Sequence, residues 1–319
     1  MAKTAGVHLP TWEALASLTT TSTTDGVAPF LYGAGIYWDK GDYLYMFNQA
    51  MNTYFYRYNL KYDAWQQLQD MTGITANSGN GIEILWHETE SKFYIKSGSY
   101  AFASWTVAGG VAATSLANVN NSEYAGFKIF STDTAIHASG DADKIYYCQG
   151  EGETSFEVYS ISGNSWSALS ALPEDMGWVG WLPTVDPLKI YAISKDTEKR
   201  YEYTIATNTW SSSSEWLPNV DAINASGITI TADDAFASTS PGSYIYTIPY
   251  YNRYLYRGDF STGELIPFRN MPILDASYYN AGSGRQMCYA ETGGKKYLYR
   301  IIVGNTTTKS YYFFRTEIF

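Results

Sequence analysis

Charge is scarce in this sequence: Asp, Glu, Lys and Arg make up 16% of 319 residues, against roughly 25% in ordinary soluble domains. The 31 acids and 21 bases leave a formal net charge of −10, and the bases never gather beyond doublets such as Lys199-Arg200 and Lys295-Lys296. This argues against a phosphate-gripping surface and sequence-specific nucleic-acid binding. Cysteine is scarcer still. Cys148 and Cys288 are too few for a disulfide framework, and one bridge between them would need a proximity that spacing does not reveal. The three histidines, His8, His87 and His137, lie far apart with no ligand spacing around them. No metal centre or cofactor is expected, and each reads as a surface or hydrogen-bonded core imidazole. Long apolar runs are missing too: the best stretch, Tyr297 to Val303, contains Arg300, so no membrane insertion is expected. His8, Pro10 and Glu13 interrupt what would be the apolar part of a signal peptide, and the chain reads as a product without an export signal.

Aromatic residues are abundant. Thirty Tyr, fourteen Phe and ten Trp give 17%, within a hydrophobic content of 45%, which is enough to build a core and excludes general disorder. These aromatics recur at intervals. An apolar-Tyr pair opens six similar segments: Leu44-Tyr45, Phe93-Tyr94, Ile145-Tyr146, Ile190-Tyr191, Ile245-Tyr246 and Leu298-Tyr299. The Tyr spacings are 49, 52, 45, 55 and 53, close to the roughly 50 residues of one propeller blade. Turn signals precede each pair: Asp39 to Asp42, Glu88 to Ser91, Gly140 to Asp143, Asp186-Pro187, Pro241-Gly242 and Gly293-Gly294. Each apolar-Tyr strand is thus the second arm of a hairpin. Its first arm is expected to carry the upstream glycines (Gly33 and Gly35, Gly81, Gly126, Gly177 to Gly180, Gly227, Gly282 and Gly284), small enough to crowd round a central axis.

A second hairpin follows, marked by a Trp seven positions after a Tyr: Tyr58 with Trp65, Tyr159 with Trp166, Tyr203 with Trp210. The fifth copy has Leu265 where Trp would stand, and the second is weaker, with Gly109-Gly110 followed by small residues near Ala112. No Trp follows Tyr299, so the last copy lacks an outer strand, while Leu9 to Leu15, containing Trp12, reads like the segment around Trp65. Supplying that strand to the last copy closes the ring and removes its open edges. The expected architecture is all-β: a single domain over residues 1–319, a six-bladed β-propeller with four antiparallel strands per blade, closed by the N-terminal strand.

The apolar-Tyr strand, the Tyr-to-Trp hairpin and the apolar-Pro steps Leu172-Pro173, Leu217-Pro218 and Met271-Pro272 resemble kelch-type propeller repeats over nearly the whole chain. The chain departs from that family in lacking its paired glycines after the apolar-Tyr strand, where only Gly98 and Gly150 stand nearby. The resemblance implies a fold and leaves function open.

Local signatures of chemistry are few. Asp141-Ala142-Asp143 and Asp233-Asp234 lack the glycine and terminal glutamate of a calcium loop and read as turns. No nucleophile elbow, phosphate-cradling loop or Cys-x-x-Cys occurs, and no residue is singled out as catalytic, cofactor-binding or metal-binding. The repeated Tyr and Trp read as packing; Trp178 with Trp181 and Tyr311 to Phe314 read as interface anchors or as padding between blades. A composition poor in Lys and rich in Ser, Thr, Tyr, Asn and Gly suits a protein working outside cells, yet no export signal is found. A virion protein of a tailed bacteriophage, made in the host cytoplasm and released by lysis, reconciles the two, and similar propellers occur in phage tail nozzles. The expectation is a non-enzymatic tail component, forming a homo-oligomeric ring or attached to other virion proteins. A glycan-binding or glycan-hydrolysing propeller and a cytoplasmic kelch-like adaptor are the alternatives.

Overall fold

A computed structural model of the chain describes residues 12–19, 36–47, 55–68, 72, 82–97, 100–107, 113–121, 128–133, 140–150, 152–183, 185–194, 197, 199–215, 235–238, 244–248, 254–259, 264–270, 287–303 and 310–318. These residues form six antiparallel sheets of four strands each. The first strand, β1 (Glu13–Thr19), belongs to the last blade. Blade 1 is β2 (Ile36–Trp38), β3 (Tyr43–Phe47), β4 (Phe55–Asn59) and β5 (Ala64–Gln67). Blade 2 is β6 (Ile82–His87), β7 (Lys92–Ser97), β8 (Ala101–Trp105) and β9 (Thr114–Ser115). Blade 3 is β10 (Lys128–Thr132), β11 (Asp141–Cys148), β12 (Phe156–Ser160) and β13 (Ser165–Ala168). Blade 4 is β14 (Met176–Trp181), β15 (Lys189–Ser194), β16 (Lys199–Thr204) and β17 (Thr209–Glu215). Blade 5 is β18 (Ala235–Ser238), β19 (Tyr244–Ile248), β20 (Tyr254–Asp259) and β21 (Glu264–Asn270). Blade 6 is β22 (Met287–Thr292), β23 (Lys295–Val303) and β24 (Ser310–Ile318), completed by β1. This is the six-bladed propeller, and no helix among the described residues is long and apolar enough to cross a membrane.

The apolar-Tyr repeat falls on the second strand of every blade. Successive strand side chains point to opposite sheet faces, so the pair serves two blade junctions at once. Leu44 packs in the core between blades 6 and 1, while Tyr45 packs between blades 1 and 2. Phe93 faces back to blade 1 and Tyr94 forward to blade 3; Ile145 faces back to blade 2 and Tyr146 forward to blade 4. Leu298 and Tyr299 repeat the arrangement on either side of blade 6. All twelve residues of the motif are at least 97% buried, and among the described residues similar clusters fill the junctions of blades 6 and 1, 1 and 2, 2 and 3, 3 and 4, and 5 and 6.

Closure follows the expected route. Strand β1 pairs with β24 through Glu13↔Arg315, Ala14↔Phe314 and Leu15↔Phe313, with a bulge before Leu18↔Tyr311. Leu15 and Leu18 complete the core shared with blade 1, and Trp12 packs in the cluster holding Phe314 and Ile318.

One expectation is met at β14 and lies outside the described residues elsewhere, and a second needs correction. Among the described first strands only β14 carries glycine, Gly177 and Gly180. The glycines at 33, 35, 81, 126, 227, 282 and 284 lie outside the described residues. Glycine is needed within β14 because the Trp178 ring folds over it: a Cβ on Gly180 would stand 2.6 Å from Trp178 Cζ2. Asp141 to Asp143, expected in a turn, instead begin β11, with Asp141 opposite Thr132 across a bulge. Gly140 permits that bulge, since a Cβ there would stand 2.1 Å from the Thr132 carbonyl oxygen. The fourth strand of blade 2 is the two-residue β9, just beyond Ala112. Gly293 and Gly294, both with positive φ (59° and 74°), make the tight β22–β23 turn as expected. Pro241-Gly242, Gly98, Gly109-Gly110, Leu217-Pro218, Met271-Pro272 and Asp233-Asp234 lie outside the described residues.

Candidate functional site

Antiparallel order places the turns between first and second strands, and those between third and fourth strands, on one end of the propeller. This turn face is held rigid by a repeated latch. In blade 3, Tyr159 and Trp166 are cross-strand partners with rings 5.1 Å apart. Between them Asn164 takes a left-handed backbone, φ 45°, which Asn tolerates better than most residues. Its Oδ1 accepts from the Tyr159 hydroxyl at 2.9 Å and from the Ala117 N–H of blade 2 at 2.8 Å. Trp166 Nε1 donates to the Ala117 carbonyl at 2.8 Å. Both backbone groups of one residue in the preceding blade are thereby held.

Among the described residues the same device appears twice more. In blade 4, Asn208 accepts from the Tyr203 hydroxyl and the Ser170 N–H, both at 2.8 Å, and Trp210 donates to the Ser170 carbonyl at 3.0 Å. In blade 1, Asp63 accepts from Tyr58 and from the Ala16 N–H, both at 2.7 Å, and Trp65 donates to the Ala16 carbonyl at 2.9 Å. Ala16 belongs to β1, so this third latch clamps the closing strand. Burial first, then Asp63, raises the Tyr58 hydroxyl far above its usual range, while burial lifts Tyr159 and Tyr203 to about 12. All three stay neutral donors.

Nearer the axis, His87 and Asp133 are wholly buried between blades 2 and 3. Asp133 accepts from the Thr89 N–H at 2.8 Å and the Thr89 hydroxyl at 2.5 Å. His87 Nδ1 lies 3.3 Å from Asp133 Oδ2 and accepts from the Glu90 N–H at 3.3 Å. A nucleophilic triad needs the imidazole between hydroxyl and carboxylate; here the carboxylate stands between the other two, so His87 cannot take a proton from Thr89. Burial lowers the imidazole pKa against the opposing pull of Asp133. This is the hydrogen-bonded core histidine expected from the sequence. His8 and His137 lie outside the described residues, among which no group of His, Cys, Asp or Glu is placed to hold a metal.

The row of residues beside the motif tyrosines differs from blade to blade. Opposite Tyr45, Tyr246 and Tyr299 stand Arg57, Arg257 and Arg315. Each guanidinium lies over the ring of the tyrosine two positions earlier, Tyr43, Tyr244 or Tyr297, at 4.4 to 4.7 Å. Blade 4 exchanges the charges, with Glu202 opposite Tyr191 and Lys189 Nζ 2.6 Å from Glu202. Blade 3 places Val158 there. Blade 2 places Ser104 opposite Tyr94, with Lys92 at the site of the earlier tyrosine. The short side chain leaves a cleft of about 360 Å³ between blades 2 and 3, lined by Lys92, Tyr94, Ser104, Thr106, Thr114 and Tyr159 among others. Burial first, then Glu90, Tyr159 and Asp143, push the Tyr94 hydroxyl well above its usual range, and Lys92 is paired with Glu90 at 2.9 Å.

Other residues singled out in the sequence prove structural. Trp178 is buried, and Trp181, Phe313 and Phe314 are buried between blades. Cys148 and Cys288 are free, buried and in different blades, with burial raising Cys148 to about 12. Sequence reasoning missed the Asx residues five positions after the latch tyrosines; their signal was the Asp or Asn repeated two positions before each Trp. Among the described residues, the exposed apolar side chains on the turn face are Tyr62 (69% exposed), beside Lys61, and Leu188 (57%).

No family model and no curated protein matches this chain. Among solved structures it is similar to a luciferin-regenerating enzyme, with a TM-score of 0.60 at 13% identity over 96% of this chain and 95% of that one. A chain of a nidogen–laminin complex gives a TM-score of 0.54 at 10% identity, over 75% of this chain and 80% of that one. At these identities the likeness extends to the fold alone: six blades of four strands.

Proposed function

We propose that the chain is a non-enzymatic interaction module, a kelch-like propeller acting as a single rigid domain in the tail of a bacteriophage virion. The observation that carries the reading is the latch, which fixes the turns of blades 1, 3 and 4 to the backbone of the blade before each of them. A surface held in this way presents Tyr62 and Leu188 with little ordering cost on binding, which favours a docking role. The acidic balance of the chain suits a part that lies beside DNA without gripping it, and its partners are copies of itself or other tail proteins. A propeller similar in fold occurs in the nidogen–laminin complex, which fits an interaction role; the similar luciferin-regenerating enzyme shares the fold at 13% identity, too distant to carry over its chemistry.

The test has two parts. Mass spectrometry of phage particles purified from the source of this gene is expected to find the chain, and light scattering of the purified protein is expected to give a multiple of 35.6 kDa or a complex with a tail protein. A monomer absent from particles and confined to the soluble lysate overturns the reading.

A further inference from the structure

We propose that the cleft between blades 2 and 3 is a binding site for one unit of a neutral saccharide. This goes beyond the scaffold reading and does not depend on it. The cleft lies where blade 2 departs from a pattern, from which blade 3 also departs with Val158 in the same row. At the equivalent register Arg57, Arg257 and Arg315 cover an earlier tyrosine in blades 1, 5 and 6, and a Lys189–Glu202 pair stands there in blade 4. Ser104 covers nothing comparable, and the space left, about 360 Å³, lies at the small end of the range for ligand pockets.

The lining specifies the ligand. Ser104, Thr106 and Thr114 bring three hydroxyls, each able to donate and accept, and Tyr94 adds a phenol. Leu116 and Ile161 contribute an apolar wall suited to the C–H face of a sugar ring. Among the described lining residues the one cation is Lys92, and it is paired with Glu90. Asp143 is held anionic, its pKa lowered to about 2 chiefly by the Ser162 N–H, and both Glu90 and Asp143 act on Tyr94. An anionic ligand would feel these nearby carboxylates, which lie outside the lining, whereas a neutral polyol exchanges its water for hydroxyl partners at little electrostatic cost.

The experiment is a glycan array of neutral hexose, deoxyhexose and N-acetylhexosamine oligosaccharides, followed by calorimetry on any hit, with sialylated oligosaccharides and a proline-rich peptide as separate arms. The double substitution Lys92→Tyr with Ser104→Arg rebuilds the Tyr43–Arg57 arrangement of blade 1 and fills the cleft. A second pair, Ser104→Ala with Thr114→Val, removes hydroxyls without filling it and serves if the first does not fold. The proposal expects a neutral oligosaccharide to bind the wild type and to lose at least tenfold in affinity in either folded variant. It is overturned if no neutral oligosaccharide binds, if binding is unchanged in a folded variant, or if only the sialylated glycan or the peptide binds. None of these outcomes bears on particle association, so the scaffold reading stands or falls separately.

Discussion

Asn164 joins two blades through one oxygen atom: Oδ1 accepts from Tyr159 within its own hairpin and from Ala117 in the blade before. Because the residue sits at φ 45°, Asn164→Gly keeps the backbone at ease and removes only the acceptor. It leaves the partly buried Tyr159 hydroxyl and the Ala117 N–H to find water, at a cost of about 1–3 kcal/mol, measured as a lower urea midpoint. Tyr159→Phe removes a donor along with its partner's bond and costs about 0.5–1.5 kcal/mol. The double variant should lose less than the sum, because both single changes break the same bond. Asp143 makes a pH-dependent counterpart. The Ser162 N–H and the Ser160 and Ser162 hydroxyls bring its carboxyl from 3.8 down to about 2, so the folded state binds the anion better than the unfolded chain does. That stabilisation is complete above the unfolded pKa and disappears as pH falls from about 4 towards 2. Thermal melts should therefore show Asp143→Asn less stable than wild type near neutrality, with the gap closing in that acidic window; a gap constant down to pH about 2 would contradict the assignment.

Strands show how much of the molecule was legible beforehand. The apolar-Tyr pair could be read from sequence because strand periodicity turns adjacent residues to opposite faces, so Leu44-Tyr45 and its five counterparts had to mark six equivalent strands. Trp12 could be matched to Trp65 for the same reason, which is why the closing strand was found. Asp141 to Asp143 misled, since their composition favours a turn; the Asp143 carboxylate instead caps the hairpin at Ser160 to Ser162, a contact set by tertiary register. The cleft was illegible, because it depends on Ser104 standing where Arg57 stands in another blade, and that equivalence appears only once the third strands are paired. At this scale the closing strand carries a prediction. Leu15 is 8% exposed within the core between blades 6 and 1, so Leu15→Ala should cost about 2–5 kcal/mol. Arg315 Nε lies 2.6 Å from the half-exposed Glu13, so Glu13→Gln should cost well under 1 kcal/mol. Comparable losses in the two variants, measured by urea unfolding, would mean that β1 is held by charge and not by burial.

A closed ring has no free blade, and its two thiols can report whether it opens as one. Cys148 lies in the core between blades 3 and 4 and Cys288 in the core between blades 6 and 1. Both are buried and protonated, with burial pushing Cys148 to about 12 and Cys288 higher, so neither reacts until water and a reagent reach it. If the blades unfold cooperatively, both cysteines should react with a disulfide reagent at the same slow rate, set by global opening. A variant lacking residues 1–19, and with them β1, Leu15 and Leu18, loses part of the cluster around Cys288 and the latch partner of Asp63 and Trp65. Labelling followed by peptide mass analysis should then find Cys288 reacting much faster than Cys148, whose surroundings include no residue of β1. Equal acceleration of the two would mean that losing the closing strand melts the whole ring; no acceleration at either would mean that β1 does not hold it shut.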